Sequence, residues 1–414
     1  MTGPITWGVE FEFAFPDAFH GRGNQATREF PDQASLRALA LYMHNQLDIP
    51  VAAGCMCDNE DTLSLFCSAT SDNLHMDGSM ALFRAPPRER PFKVSREALF
   101  FFLSTDAVVD QDADSNWEGL EISSPARGLN ELQRGMPEVR GLIRGLSHWN
   151  AGIALTDYCG LHIHVGTQSG LTLELVKRVF TLGILLEEEL LIRLVSPDRQ
   201  ENKFFTPLTH TSRMAQYAKS KPSNDSPVCT GILPPGHENG RFWSISGHLV
   251  GHVLVTLWQA PDLDTLTSGL YSPLPGIKSS LYLALRSRSD SSLAASSGSD
   301  DSADDGWCPA RCSIEFRYPQ MTFDADYIQM WVEMATRIME VAEQTEDSTY
   351  QRVVSNILQV LDRVEEENII PGLLRALGFD QATIVRWGRL VTRHEGDDPS
   401  LEGTGPYRKL RNNL

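Results

Sequence analysis

Four short segments, far apart in the chain, alternate apolar residues with charged, serine or histidine residues. They read GVEFEF, GLEISSP, CGLHIHVG and SIEFRY, and they begin at residues 8, 119, 159 and 313. Because successive side chains of a β-strand point to opposite faces, each segment predicts a strand with one apolar and one polar face. The apolar faces are suited to packing against helices, so the pattern predicts a sheet with one covered face.

The polar faces of these segments carry side chains that ligate metals or bind phosphate. They are Glu10, Glu12, Glu121, His162, His164, Glu315 and Arg317. Taken singly, a solvated acidic face, a hydrogen-bonded histidine pair or a surface ion pair explains each pattern. If the four strands are neighbours, the buried acids require cations, because an uncompensated buried charge is costly. Carboxylate oxygens suit Mg²⁺ or Mn²⁺, so the sequence predicts a metal site on one sheet face.

Composition and charge exclude several classes of protein. The formal net charge of −18 argues against a nucleic-acid partner, which would require a basic surface. No run of about 18 apolar residues occurs, and the first residues lack the pattern of a secretory signal. The prediction is a cytoplasmic protein without a membrane partner. Seven cysteines without the spacing of a zinc site predict free thiols in a reducing compartment.

Helical periodicity fills much of the remaining chain. Apolar residues at helical spacing predict helices over 36–47 and 171–194, the second starting near Thr172. A further helix is predicted after Asp324, which is a candidate N-cap. The last hundred residues are helical in pattern, with a predicted break at Pro371-Gly372.

Five motifs occur in an order that resembles the amidoligase family. These are G-x-E-x-E, D-G-S at residues 77–79, G-x-E-x-x-S-P, C-G-x-H-x-H-V and I-E-F-R. That family belongs to the carboxylate–amine ligases related to glutamine synthetase and glutamate–cysteine ligase. The resemblance runs from about residue 5 to about residue 340. It implies an α+β fold with a curved, mainly antiparallel sheet of the glutamine synthetase type, backed by helices.

The domain organisation follows from this resemblance and from composition. Residues 1–345 are expected to form an amidoligase-like catalytic domain, and 346–414 a helical C-terminal extension packed on it. Within the first, the Ser- and Asp-rich segment 287–306 has too few bulky apolar side chains to offset its ordering entropy, so it predicts a mobile insertion.

The resemblance also implies two or three Mg²⁺ or Mn²⁺ ions along the sheet. Glu12 and Glu121 would hold the ion nearest the substrate. Glu10, His162 and Glu315 would hold the ion that bridges the phosphates of ATP.

Four further residues are expected to contact ATP or the substrates. His164 would lie beside the nucleotide phosphates together with Ser79, and Arg317 would contact the transferred γ-phosphoryl group. Asp77 would contact the amine, help deprotonate it, or only hold a turn, and the sequence leaves these three roles open.

The expected activity is ATP-dependent joining of a small-molecule or peptide carboxylate to an amine through an acyl phosphate. Three alternatives stay open: a metal-dependent amide hydrolase on the same fold, a guanidino kinase-like phosphotransferase, and a binding protein without turnover. A P-loop kinase or a serine hydrolase has little support, because the chain has neither a Walker A motif nor a G-x-S-x-G motif.

Overall fold

The computed structural model describes most, but not all, of the chain. The described residues are 3–16, 39–40, 42–43, 46–49, 51–55, 75–77, 80–84, 101–105, 117–148, 153, 155, 159–200, 205–221, 229, 231–237, 240–274, 277–285, 312–344, 346–363 and 369–395.

One 10-stranded sheet organises the described part of the chain. Its strands are β1 Ile5–Pro16, β2 Val51–Cys55, β3 His75–Asp77, β4 Met80–Arg84, β5 Phe101–Thr105, β6 Trp117–Ser123, β7 Arg127–Gly128, β8 Leu161–Thr167, β9 Leu281–Ala284 and β10 Ser313–Phe316. The strand order is β3-β4-β2-β5-β6-β1-β8-β10-β9, and β7 pairs with β1 outside this path. β2 pairs in parallel with β4 and β5, and the other pairs of described strands are antiparallel.

The four alternating segments form four adjacent strands. They lie in β6, β1, β8 and β10, which follow one another in the sheet. The prediction of a mainly antiparallel sheet with α-helices is therefore confirmed, and so is the prediction that each segment is a strand.

The apolar side chains of these strands form one covered face of the sheet. Phe11, Leu161, Ile163 and Ile314 are completely buried. Full burial of a side chain of this size contributes about 1.5–3 kcal/mol, so this face favours folding strongly. The polar side chains must then share the opposite face, because the strand period is two.

Besides the helical residues within 39–47, twelve α-helices with described bounds and one π-helical turn, Glu187–Leu191, accompany the sheet. The helices are α1 Leu129–Gln133, α2 Pro137–Ser147, α3 Leu173–Leu186, α4 Pro197–Gln200, α5 Leu208–Thr211, α6 Arg213–Lys219, α7 Arg241–Gln259, α8 Leu263–Leu270, α9 Ala325–Ala342, α10 Asp347–Leu361, α11 Ile370–Ala376 and α12 Gln381–Glu395. Helix α9 packs against β1 and β8, and α3 packs against α9.

Two predicted helix starts are confirmed by their capping hydrogen bonds. The Thr172 hydroxyl accepts a hydrogen bond from the backbone N–H of Leu175 at the start of α3. The Asp324 carboxylate accepts from the N–H groups of Asp326 and Tyr327 at the start of α9. These caps satisfy N–H groups that have no partner within the helix.

Two helix predictions need correction. The helix predicted to run to residue 194 changes to a π-helical turn at Glu187. Pro371-Gly372 does not break the helical pattern, because both residues lie in the first turn of α11. Proline is tolerated there because the first N–H groups of a helix have no partner within the helix.

The remaining predictions on organisation lie partly outside the described residues. Within the predicted helix 36–47, the residues that the structure describes are helical. The segment 287–306 falls outside the described residues. Helix α10 packs against α3, α7 and α9, and the division at residue 345 stays a prediction. Among the described helices, none is both long and apolar enough to cross a membrane.

Candidate metal centre

Strand register brings the predicted polar side chains together in cross-strand pairs. Glu10 of β1 lies opposite His162 of β8, and Glu12 lies opposite Glu121 of β6. Opposite residues in an antiparallel pair have Cβ atoms about 4.5–5.5 Å apart. The alternating segments therefore place their polar side chains in one patch of the sheet.

Three side chains in this patch converge closely enough to share one ion. The ligand atoms of Glu10, His164 and Glu315, called the metal trio below, all lie within 4.8 Å of one another. His164 Nε2 is 3.2 Å from Glu10 Oε2 and 4.0 Å from Glu315 Oε1. His164 Nδ1 is 2.9 Å from the Ser313 hydroxyl, which fixes the orientation of the ring.

His162 lies next to the two carboxylates of the metal trio, and its side chain is 3% exposed. Its Nδ1 is 3.6 Å from Glu10 Oε2 and 3.3 Å from Glu315 Oε1. Although buried, Nδ1 makes no hydrogen bond with the described residues. The resemblance implies that His162 joins Glu10 and Glu315 around one ion, and this assignment stays a prediction; in the structure both imidazoles, His162 and His164, lie beside the two carboxylates.

Burial and nearby charges keep these groups in the protonation states that suit a cation. Burial and the charge of Arg317 lower the pKa of His162 to about 4, although Glu10 and Glu315 oppose this shift. Desolvation alone would raise the pKa of Glu10, but His164 and His162 lower it well below its ordinary value. The pKa of Glu315 is also lowered. Burial opposes this shift, and the charge of Arg317 is its largest cause. At neutral pH His162 is therefore neutral and both carboxylates are ionised.

Arg317 lies at the edge of the metal trio and pairs with one of its carboxylates. Its Nη2 atom is 2.7 Å from Glu315 Oε1. Burial alone would lower the pKa of Arg317, but Glu315, Glu10 and Glu12 raise it above its ordinary value. The guanidinium also lies over the ring of Tyr282, 5.8 Å from the centroid. A fixed cation therefore stands next to the predicted metal ligands.

The second pair of predicted ligands, Glu12 and Glu121, belongs to the same patch. The Ser123 hydroxyl lies 3.1 Å from Glu121 Oε1 and 3.3 Å from Glu10 Oε1, so it can donate to either carboxylate. Glu12 is 4% exposed. Among the described residues of the patch, the carboxylates of Glu10, Glu12, Glu121 and Glu315 face the guanidinium groups of Arg317 and of the buried Arg199 in α4, which leaves two formal negative charges before His164 is counted. Such a donor set suits a divalent cation.

The D-G-S motif lies largely outside the described residues. Asp77 ends β3, which is separated from β6 by β4, β2 and β5. The structure describes the backbone of Asp77 but not its side chain, and Ser79 lies outside the described residues. The roles of these two residues stay predictions.

Two buried charged residues near the site have no signal in the sequence. Arg199 in α4 is 2% exposed, and its Nη2 donates to the Arg317 carbonyl over 3.4 Å. Glu187 in the π-helical turn is completely buried. Arg199 stands in a polar stretch and Glu187 in the run EEE, and neither local pattern indicates burial.

Glu187 connects the segments on either side of Arg317. Its carboxylate accepts hydrogen bonds from the hydroxyls of Ser280 and Tyr318, at 2.8 and 3.0 Å, and from the N–H groups of Leu208 and Thr209. The Arg317 N–H in turn donates to the Ser280 carbonyl over 2.8 Å.

Burial raises the pKa of Glu187, and the bonds from Thr209 and Leu208 oppose this shift. Through its hydrogen bonds with Ser280 and Tyr318, Glu187 holds the backbone around Arg317 in place.

We expect Glu187→Gln to lower the free energy of unfolding by about 2–4 kcal/mol, because an amide group would face donors and leave them unsatisfied. Urea unfolding followed by circular dichroism measures the change. The matched control is Glu188→Gln in the same turn, whose carboxylate is 48% exposed and pairs with His210. A loss below about 1 kcal/mol is expected for this control, and an equal loss in both variants would contradict the role given to Glu187.

The lowered pKa of His162 predicts a pH dependence of stability in the metal-free protein. An unfolded histidine has a pKa of about 6.5, so below that pH the unfolded chain binds more protons than the folded chain. Stability should fall as the pH is lowered from about 6.5 to about 4, by up to about 3 kcal/mol from this group. Unfolding in the presence of a chelator at several pH values measures the slope. His162→Gln should flatten it, and an unchanged slope would refute the assignment.

The chain was compared with family models, curated proteins and solved structures, and none of the three comparisons gave a match. The relation to the amidoligase family therefore depends on the five sequence motifs and stays a prediction.

Proposed function

We propose that this protein is an ATP-dependent carboxylate–amine ligase of the amidoligase type, with its reaction centre at the metal trio. The observation that carries the proposal is the convergence of Glu10, His164 and Glu315, which come from three adjacent strands, with Arg317, the residue after β10, beside them. A phosphoryl-transfer centre needs such a set, because it works by positioning and by compensating charge.

The fold supports the proposal at a coarse level. The sheet is mainly antiparallel, helix α9 packs against its strands β1 and β8, and its polar face carries the candidate ligands. The curved sheet of the glutamine synthetase type is part of the proposal. The proposal also includes a funnel-shaped active site on this sheet, which ATP and the acceptor carboxylate would enter from opposite ends.

The metal trio would hold an Mg²⁺ or Mn²⁺ ion, with His162 beside it. The fit is supported by two ionised carboxylates and by the buried His162 Nδ1, which has no hydrogen-bond partner among the described residues. A bound divalent ion would supply positive charge next to the phosphate oxygens of ATP. Mn²⁺ accepts a mixed oxygen and imidazole ligand set readily, so it is the better probe of the site.

Arg317 would stabilise the phosphoryl group during transfer. In the proposed reaction the acceptor carboxylate oxygen attacks the γ-phosphorus, ADP leaves, and an acyl phosphate forms. The neutral amine then attacks the acyl carbon, and the amide bond forms as phosphate leaves and takes up the proton that the amine loses. The planar guanidinium matches the geometry of phosphate, and Glu315 holds it on the sheet.

Incubation of the protein with ATP, Mg²⁺ and pooled carboxylic acids and amines tests the proposal. The expected result is ADP together with a product whose mass equals acid plus amine less one water. Amide hydrolysis without ADP would instead identify a hydrolase, and a phosphorylated guanidine a phosphotransferase. Nucleotide binding without any product would identify a binding protein, and each of these outcomes would overturn the ligase.

A further inference from the structure

A buried arginine that the proposed reaction does not use lies beside Glu12. Arg199 is 2% exposed and Glu12 is 4% exposed. A Cβ atom built on Gly160 would lie 2.8 Å from Arg199 Nη2 and 3.0 Å from Glu12 Oε2, so both side chains border the same point in space. Burial lowers the pKa of Arg199 and the charge of Glu12 opposes that shift, in agreement with this placement.

Protein groups also occupy both oxygens of Glu12. Oε2 accepts a hydrogen bond of 2.6 Å from the Gly160 N–H, and Oε1 lies 3.4 Å from His162 Nε2. The Glu12 N–H donates to the Gly160 carbonyl over 3.1 Å, so backbone and side chain are tied to the same residue. Each oxygen of Glu12 therefore already faces a protein group, and the group of described side chains that converge closely enough to share an ion does not include Glu12.

The two buried charges are therefore best explained as partners. A buried ion that loses a compensating charge destabilises a protein, and the charge of Glu12 acts on Arg199 in the compensating direction. Replacing Gly160 by any larger residue would push a Cβ atom between them, since it would also lie 2.7 Å from His162 Nε2. The absence of a side chain at residue 160 is what allows this approach.

We propose that Arg199 is the permanent counter-ion of Glu12, and that Glu12 supports the His162 ring instead of binding a metal ion. The cluster then takes one ion fewer than a set in which Glu12 is a ligand. The inference deepens the proposed function. Only the number of bound ions depends on that function, whereas the pairing of Arg199 with Glu12 does not. Arg199 and Glu12 are positioning residues, because they act on the metal trio through His162.

A double-mutant cycle on thermal stability tests the pair without reference to any metal. Glu12→Gln and Arg199→Met are each expected to lower the melting temperature by about 5 °C in the presence of a chelator, because each removes one of two opposite buried charges and keeps the other. The double variant should melt no lower than either single variant, since no uncompensated charge is left. If the single variants fail to fold, a folded double variant supports the pair equally. Strictly additive losses would overturn it.

Counting bound Mn²⁺ by electron paramagnetic resonance tests the second half of the inference. Glu12→Gln should hold as many Mn²⁺ ions as the wild type, whereas Glu10→Gln should hold at least one fewer. A count that falls in Glu12→Gln would make Glu12 a ligand and overturn the inference. A wild-type protein that binds no Mn²⁺ would contradict the proposed function, and the stability cycle would still decide whether Arg199 and Glu12 are partners.

Discussion

Glu10→Gln should abolish ADP formation, with a fall of at least about 100-fold, and should remove Mn²⁺ from the metal trio. The change replaces an ionised ligand by a neutral amide of the same size, and weaker perturbations around metal sites already cost about 10–100-fold. The side chain is 14% exposed, so the fold should survive the loss of charge. ADP release and Mn²⁺ binding measure the two effects, and circular dichroism checks the fold.

The matched control for this variant is Glu138→Gln. Its carboxylate is 49% exposed and pairs with Arg127 outside the patch. It should leave both ADP formation and Mn²⁺ binding within about twofold of the wild type, because exposed ion pairs contribute little. If Glu10→Gln turns over at a near-normal rate, the metal trio is not the reaction centre.

Arg317→Lys should lower turnover about 100-fold and change the affinity for nucleotide by less than about fivefold. Lysine keeps a positive charge beside Glu315, so the carboxylate is not left alone. It cannot reproduce the planar fork that contacts two phosphate oxygens at once. An interaction made mainly in the transition state affects kcat more than binding of the ground state.

Steady-state kinetics with ATP, together with calorimetric titration of ADP, separate these two quantities. The matched control is Arg140→Lys. The Arg140 Nη2 atom is 2.6 Å from Asp326 Oδ1, and this ion pair lies outside the metal trio. Arg140→Lys should leave both turnover and the affinity for nucleotide nearly unchanged. Equal losses of turnover and affinity in Arg317→Lys would show that Arg317 contacts ATP equally in the ground state.

The local elements were predictable because their signals lie within a few residues. Alternation in GVEFEF and CGLHIHVG follows from the period of two, so β1 and β8 and their polar faces could be derived directly. Thr172 and Asp324 marked helix starts through side chains that accept hydrogen bonds from N–H groups two or three residues ahead. The change to a π-helical turn at Glu187 has no such local signal.

The sequence by itself determined which residues share a face, and therefore which acids and imidazoles are available for a site. Only the tertiary structure decided that β6, β1, β8 and β10 are neighbours and that His164 joins the metal trio. It also placed Arg199 beside Glu12, and Glu187 against Ser280 and Tyr318. The physical reason is that side-chain direction depends on the local backbone, whereas strand order and counter-ions depend on contacts between residues more than a hundred positions apart.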